Sequence, residues 1–101
     1  MRKMMQQAQK MQAGLAKVQE ELAEARVEGT AGGGIVKAVA NGRAEMVSIS
    51  IDPEAVDPDD VEMLEDLVMA AISDAAEKSR ELSQEKMQSL GLPTGGLGGM
   101  M

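Results

Sequence analysis

Seven apolar residues near the start of the chain, Met4, Ala8, Met11, Leu15, Val18, Leu22 and Ala25, are spaced alternately four and three apart. That period belongs to a helix with one continuous seam, so this stretch is expected to form a helix of ~33 Å packed along a second helix. Gly14 is its one weak position. Lys3, Lys10 and Lys17 recur every seven residues. They therefore share one stripe, about 100° around the helix from one line of the seam, and face solvent.

Past Val27 the heptad pattern stops and short apolar runs follow, punctuated by Gly29, Gly32, Gly33, Gly34 and Asn41-Gly42. Asn-Gly between two such runs predicts a β-hairpin closed by a two-residue type I′ turn. In that register Ala40 opposes Arg43, Ala38 opposes Glu45 and Val36 opposes Val47, with Ile49 and Ile51 continuing the face. The other face carries Ile35, Lys37, Val39, Ala44, Met46, Ser48 and Ser50. Residues 26–31 are expected to add a third, edge strand through the glycine run. That run lacks the Lys-Ser/Thr of a P-loop, and Lys37 stands where a dinucleotide fingerprint needs its last glycine. It is read as chain geometry at a sheet edge.

Asp52-Pro53 ends the strand, and Asp57-Pro58-Asp59-Asp60 is expected to start a second long helix, with Asp57 as N-cap and Pro58 at its first position. This helix should run to Leu90, stopped by Gly91 and Pro93. The acids Asp52, Glu54, Asp57, Asp59 and Asp60 lack the glycine and spacing of a calcium loop, so they are read as caps and first-turn acids. The expected class is α+β: a long helix, a small antiparallel sheet of two or three strands with an Asn-Gly hairpin, and a second long helix. Residues 1–92 form the single domain, and 93–101 are expected to be a disordered tail rich in Gly and Met.

Composition narrows the function. The chain has no Cys, His, Trp, Tyr or Phe. Thiol and imidazole catalysis, zinc sites and base-stacking aromatic platforms are thereby excluded. No catalytic residue, metal, cofactor or small-molecule substrate is expected. More than half of the apolar residues are Ala or Met. A core of these is thin, so the chain is expected to complete its burial by forming a homodimer through Val36, Val39, Met46, Val47, Ile49 and Ile51. No run approaches the length of a membrane span. Together with the lack of cysteine, this leads to an expected cytoplasmic location.

The formal net charge of −7 hides a division. Residues 1–19 carry Arg2, Lys3, Lys10 and Lys17 and no acid, whereas 45–77 hold eleven acids and no base. Beyond them come Lys78, Arg80 and Lys86. Two helices of ~33 and ~50 Å must overhang strands of about 26 Å. Their free ends are the N-terminus of the first and the C-terminus of the second, so both basic segments are expected to converge, a shape suited to the phosphate backbone of a DNA duplex. A different reading places Met4, Met5, Met11 and Met87 near the tips of a prefoldin-like chaperone or protein-binding adaptor.

Four segments resemble the YbaB/EbfC family of bacterial nucleoid-associated proteins: residues 4–12 (MMQQAQKMQ), 29–36 (GTAGGGIV), 49–53 (ISIDP) and 64–71 (LEDLVMAA). The resemblance runs in order over about residues 4–92. It implies a homodimer with tweezer-like projecting helices, DNA binding, a place in the nucleoid, a role in its organisation or in gene regulation, and no enzymatic activity.

Overall fold

The computed structural model describes residues 2–89. A long helix α1 (Arg2–Glu24) leads into strand β1 (Val27–Ala31), a 3-10 turn at Gly32–Gly34, strands β2 (Val36–Ala40) and β3 (Met46–Ile51), a second 3-10 turn at Pro53–Ala55, and helix α2 (Val61–Ser89). The three strands form one antiparallel sheet in the order β1-β2-β3. The α+β class is as expected, and so is the edge strand reached through the glycines. Gly32, Gly33 and Gly34 all hold positive φ, which reverses the chain between β1 and β2 at little steric cost. The expected C-terminus of α2 at Leu90, with Gly91 and Pro93, and the tail 93–101 lie outside the described residues.

Small residues make the core. Val36, Ala38 and Ala40 of β2 are buried against Ala71 and Ala75 of α2, with Val27, Ala31, Ile35, Leu64, Leu67, Val68 and Ile72 partly buried around them. On β1, Gly29 lies so close to α2 that a Cβ there would overlap the backbone of Ala71 and Ala75. A helix this near the sheet excludes water without bulky side chains, which is how a chain lacking aromatics obtains a dry interior. Coverage stops at two strands: every residue of β3 remains exposed.

The hairpin differs from the expected one. Ala40 pairs with Met46, Ala38 with Ile49 and Val36 with Ile51, and a bulge leaves Val47 without a partner on β2. Residues 41–45 form the connection. Neither Asn41 nor Gly42 takes the positive φ of a type I′ turn; Ala44 does, at 64°. The reason is the buried Asn41 side chain, which folds the loop around itself. Its Oδ1 accepts from the N–H groups of Arg43 (2.9 Å) and Glu45 (3.0 Å), while its Nδ2 donates to Glu45 Oε1 at 2.7 Å. Ile49 and Ile51 still share the face of Val36 and Ala38, because paired residues across the ladder point the same way.

The start of α2 is also displaced. Asp57 accepts the Asp59 N–H on Oδ1 and the Asp60 N–H on its carbonyl, closing a turn over Pro58. Asp60 is the cap, its Oδ1 accepting from the Met63 N–H at 3.2 Å. Asp52 likewise accepts from the Glu54 N–H and caps Pro53–Ala55.

On the free edge of β1, α2 supplies a clasp. Thr30 N–H donates to Asp74 Oδ2 (3.0 Å), and Lys78 Nζ donates to the Glu28 carbonyl (2.9 Å) and pairs with Asp74 at 3.2 Å. Outward backbone groups that could recruit another strand are thereby occupied. The Thr30 N–H, then Lys78, hold the Asp74 carboxyl below its ordinary value of 3.8. Its stabilising effect is present above that value and lost as the pH falls toward the lowered folded-state value. The thermal midpoint of the parent should therefore drop more steeply below pH 3.8 than that of Asp74→Asn, followed by circular dichroism. Gly29→Ala should cost at least about 3 kcal/mol in urea unfolding, because the added methyl meets backbone that cannot rotate away.

Candidate nucleic-acid interface

Only Val18 and Leu22 of α1 are buried, so the helix is held by its last two turns. Residues 2–13 are exposed along their whole length. The seam is therefore half used: Leu15, Val18 and Leu22 pack, whereas Met4, Ala8 and Met11 do not. Arg2, Lys3, Lys10 and Lys17 are all exposed on this arm. Lys3, Lys10 and Lys17 are about 10.5 Å apart by helical rise. With no acid before Glu20, the arm is a uniformly positive rod.

The root of α1 is capped from outside the helix. Of its last carbonyls, that of Glu21 accepts from the Ala25 N–H (2.9 Å) and that of Leu22 from the Gly42 N–H (2.7 Å). The Arg26 guanidinium donates to the carbonyls of Ala23 and Ala25. These bonds satisfy acceptors that a helix end otherwise leaves to water. Asn-Gly was legible as a turn signal, but its role at α1 was not, since nothing local links residue 42 to residue 22.

The bases of α2 are placed differently from expectation. Lys86 pairs with Glu21 at 3.4 Å, level with the root of α1, and Lys3 lies about 27 Å further out along the arm. Lys78 belongs to the β1 clasp, and Arg80 is exposed. The two basic segments thus adjoin at the root of α1 but are not gathered at its tip. Of the residues expected at a dimer interface, Val36 is fully buried under α2 and Val39 is half-buried. Met46, Val47, Ile49 and Ile51 are exposed at 38–49%. Among the described residues no group of acids is arranged to hold a metal ion, and no helix is long and apolar enough to cross a membrane.

Residues 1–95 match the YbaB/EbfC DNA-binding family. The chain belongs to that family. A nucleoid-associated protein of Chloroflexus aurantiacus is 57% identical over 99 residues, covering 98% of this chain and 96% of the relative. A nucleoid-associated protein of Saccharopolyspora erythraea is also 57% identical, covering 98% and 83%. The crystal structure of an uncharacterized protein from Helicobacter pylori superposes with a TM-score of 0.76, over 86% of this chain and 91% of the other. At 21% identity that likeness shows a shared fold. YbaB/EbfC membership confirms the expected family and favours nucleic acid over the chaperone or adaptor reading of the exposed methionines. The family is one of DNA-binding proteins rather than enzymes.

Proposed function

We propose that this protein binds duplex DNA as a homodimer, in the cytoplasm at the nucleoid, and contributes to nucleoid organisation or gene regulation. The observation that carries the reading is the α1 arm, which stands clear of the domain with four bases and no acid before Glu20. Lysines two turns apart on an exposed stripe suit contact with phosphates along a duplex backbone. Arg2, Lys3, Lys10 and Lys17 are the principal contacts. Lys78, Arg80 and Lys86 extend the positive surface at the root, with Lys78 and Lys86 partly neutralised by Asp74 and Glu21. The dimer is proposed to cover Met46, Val47, Ile49 and Ile51 on β3, with Val39 contributing from the opposite face beside Ser48, while Val36 supports the Ile49 and Ile51 surface from within the core. An uncovered edge strand with four exposed apolar side chains is otherwise a route to aggregation.

If about four phosphates are neutralised, log affinity for random duplex should fall with log salt at a slope of roughly −3.6, flattening by up to about 1 per lysine removed. Replacing Lys3, Lys10 and Lys17 together by Gln keeps helix propensity and seam, so the assembly should survive while gel-shift binding is lost. Unchanged binding at ~0.1 M salt would refute the arm as the contact surface. Ile49→Glu should convert a sedimenting dimer into a folded monomer with weaker DNA retention. A parent chain that sediments as a monomer would remove the dimer from the proposal.

A further inference from the structure

The geometry points to the β2–β3 connection as the mount that aims the α1 arm, with Gly42 and Asn41 as positioning residues for DNA binding; this rests on the reading of α1 as the DNA-holding element. The direction of α1 has few determinants. Val18 and Leu22 are its buried residues, and Lys86–Glu21 is a single half-exposed ion pair. Against this weak anchorage, residues 41–45 grip the helix at one point. Gly42 N–H donates to the Leu22 carbonyl at 2.7 Å, and a Cβ on Gly42 would stand 2.6 Å from Leu22 Cδ2 and 3.0 Å from Leu22 Cα. Gly42 does not hold a positive φ. Glycine is needed there for close approach and not for conformation.

The mount is stiff because Asn41 uses both ends of its amide inside the loop, and its own N–H donates to the Glu45 carbonyl at 2.9 Å. Buried and bonded at both ends, this amide fixes where Gly42 sits relative to the sheet. Leverage makes the position matter. Lys3 lies about 28 Å along the helix from Leu22, so a rotation of about 10° at the root displaces it by about 5 Å. A phosphate contact of about 3 Å does not survive that displacement. The mount therefore acts on DNA through Lys3 and Lys10 while touching no nucleic acid itself.

The chain contains no cysteine, so spin labels can be placed at will. Gln6→Cys and Glu54→Cys put one label on the arm and one on the domain, and dilution of the labelled chain into unlabelled protein leaves the distance within one protomer. Gly42→Ala and Asn41→Asp should each shift that distance by up to about 4 Å or broaden its distribution, and weaken duplex binding several-fold. Gly33→Ala, where no atom lies within 4 Å of the added methyl and only backbone strain is introduced, should leave the distance unchanged. Asn41→Asp combined with Glu45→Gln reverses one hydrogen bond and keeps the other two, so it should restore both the narrow distribution and the affinity. That rescue separates aiming from general loss of stability, and it remains informative if Gly42→Ala does not fold. Unchanged distances in both Gly42→Ala and Asn41→Asp, or an equal change in Gly33→Ala, would overturn the mount. Distances that move with parental DNA affinity, in a protein whose lysine triple variant no longer binds, would overturn its link to binding. If the triple variant itself binds like the parent, the failure lies with α1 as the DNA contact, and the distances alone decide the mount.

Discussion

The structure depends on the approach of α2 to β1 and β2 at Gly29, Ala38, Ala71 and Ala75. Without an aromatic ring to fill space, burial must come from short distances between backbones, and only Gly and Ala allow them. Everything else is arranged around that line of contact. The helix that lies over β1 and β2 cannot also cover β3, so within one chain the apolar side chains of Val47, Ile49 and Ile51 are left exposed. The same helix places Asp74 and Lys78 over the β1 edge, closing one side of the sheet and leaving the other available.

The charge division has a comparable logic. A net charge of −7 would repel DNA if it were spread evenly, but α1 and the acidic start of α2 lie at opposite ends of a molecule 68 Å long. Asp60 is about 39 Å along α2 from the level of Lys86 and Glu21. Screening at physiological salt acts over about 8 Å, so a phosphate beside Lys10 senses the arm and little of the acids. On the proposed reading, acidity would keep the body of the protein off the duplex and leave binding to the arm. The acids also serve locally: Asp52, Asp57 and Asp60 each accept from backbone N–H groups at turns or at the helix start.

Legibility in the sequence followed the range of the interaction. Heptad spacing located α1 and its lysine stripe, short apolar runs punctuated by glycine located the strands, and capping chemistry located the start of α2 to within one turn. Each of these is decided within a few residues. The hairpin register was misjudged because Asn-Gly has a strong local preference that a buried tertiary site overrode. Asn41 bonds to residues 43 and 45, and Gly42 is drawn to the end of a helix twenty residues earlier. The β1 clasp joins residues 44 and 50 apart in sequence, and no local pattern announces it.

By itself the sequence determined the element order, the basic arm, the acidic middle and the absence of His and Cys chemistry, since these follow from composition and from periodicity along one chain. The tertiary structure alone decided that α2 covers two strands of three, that Val36 is core while Val47, Ile49 and Ile51 are surface, and that Lys86 meets α1 at its root. It also decided that glycine is required at position 42 for the close contact with Leu22 and not for a positive φ. These outcomes depend on how closely two backbones can approach in space, and that distance is set jointly by residues far apart in the chain.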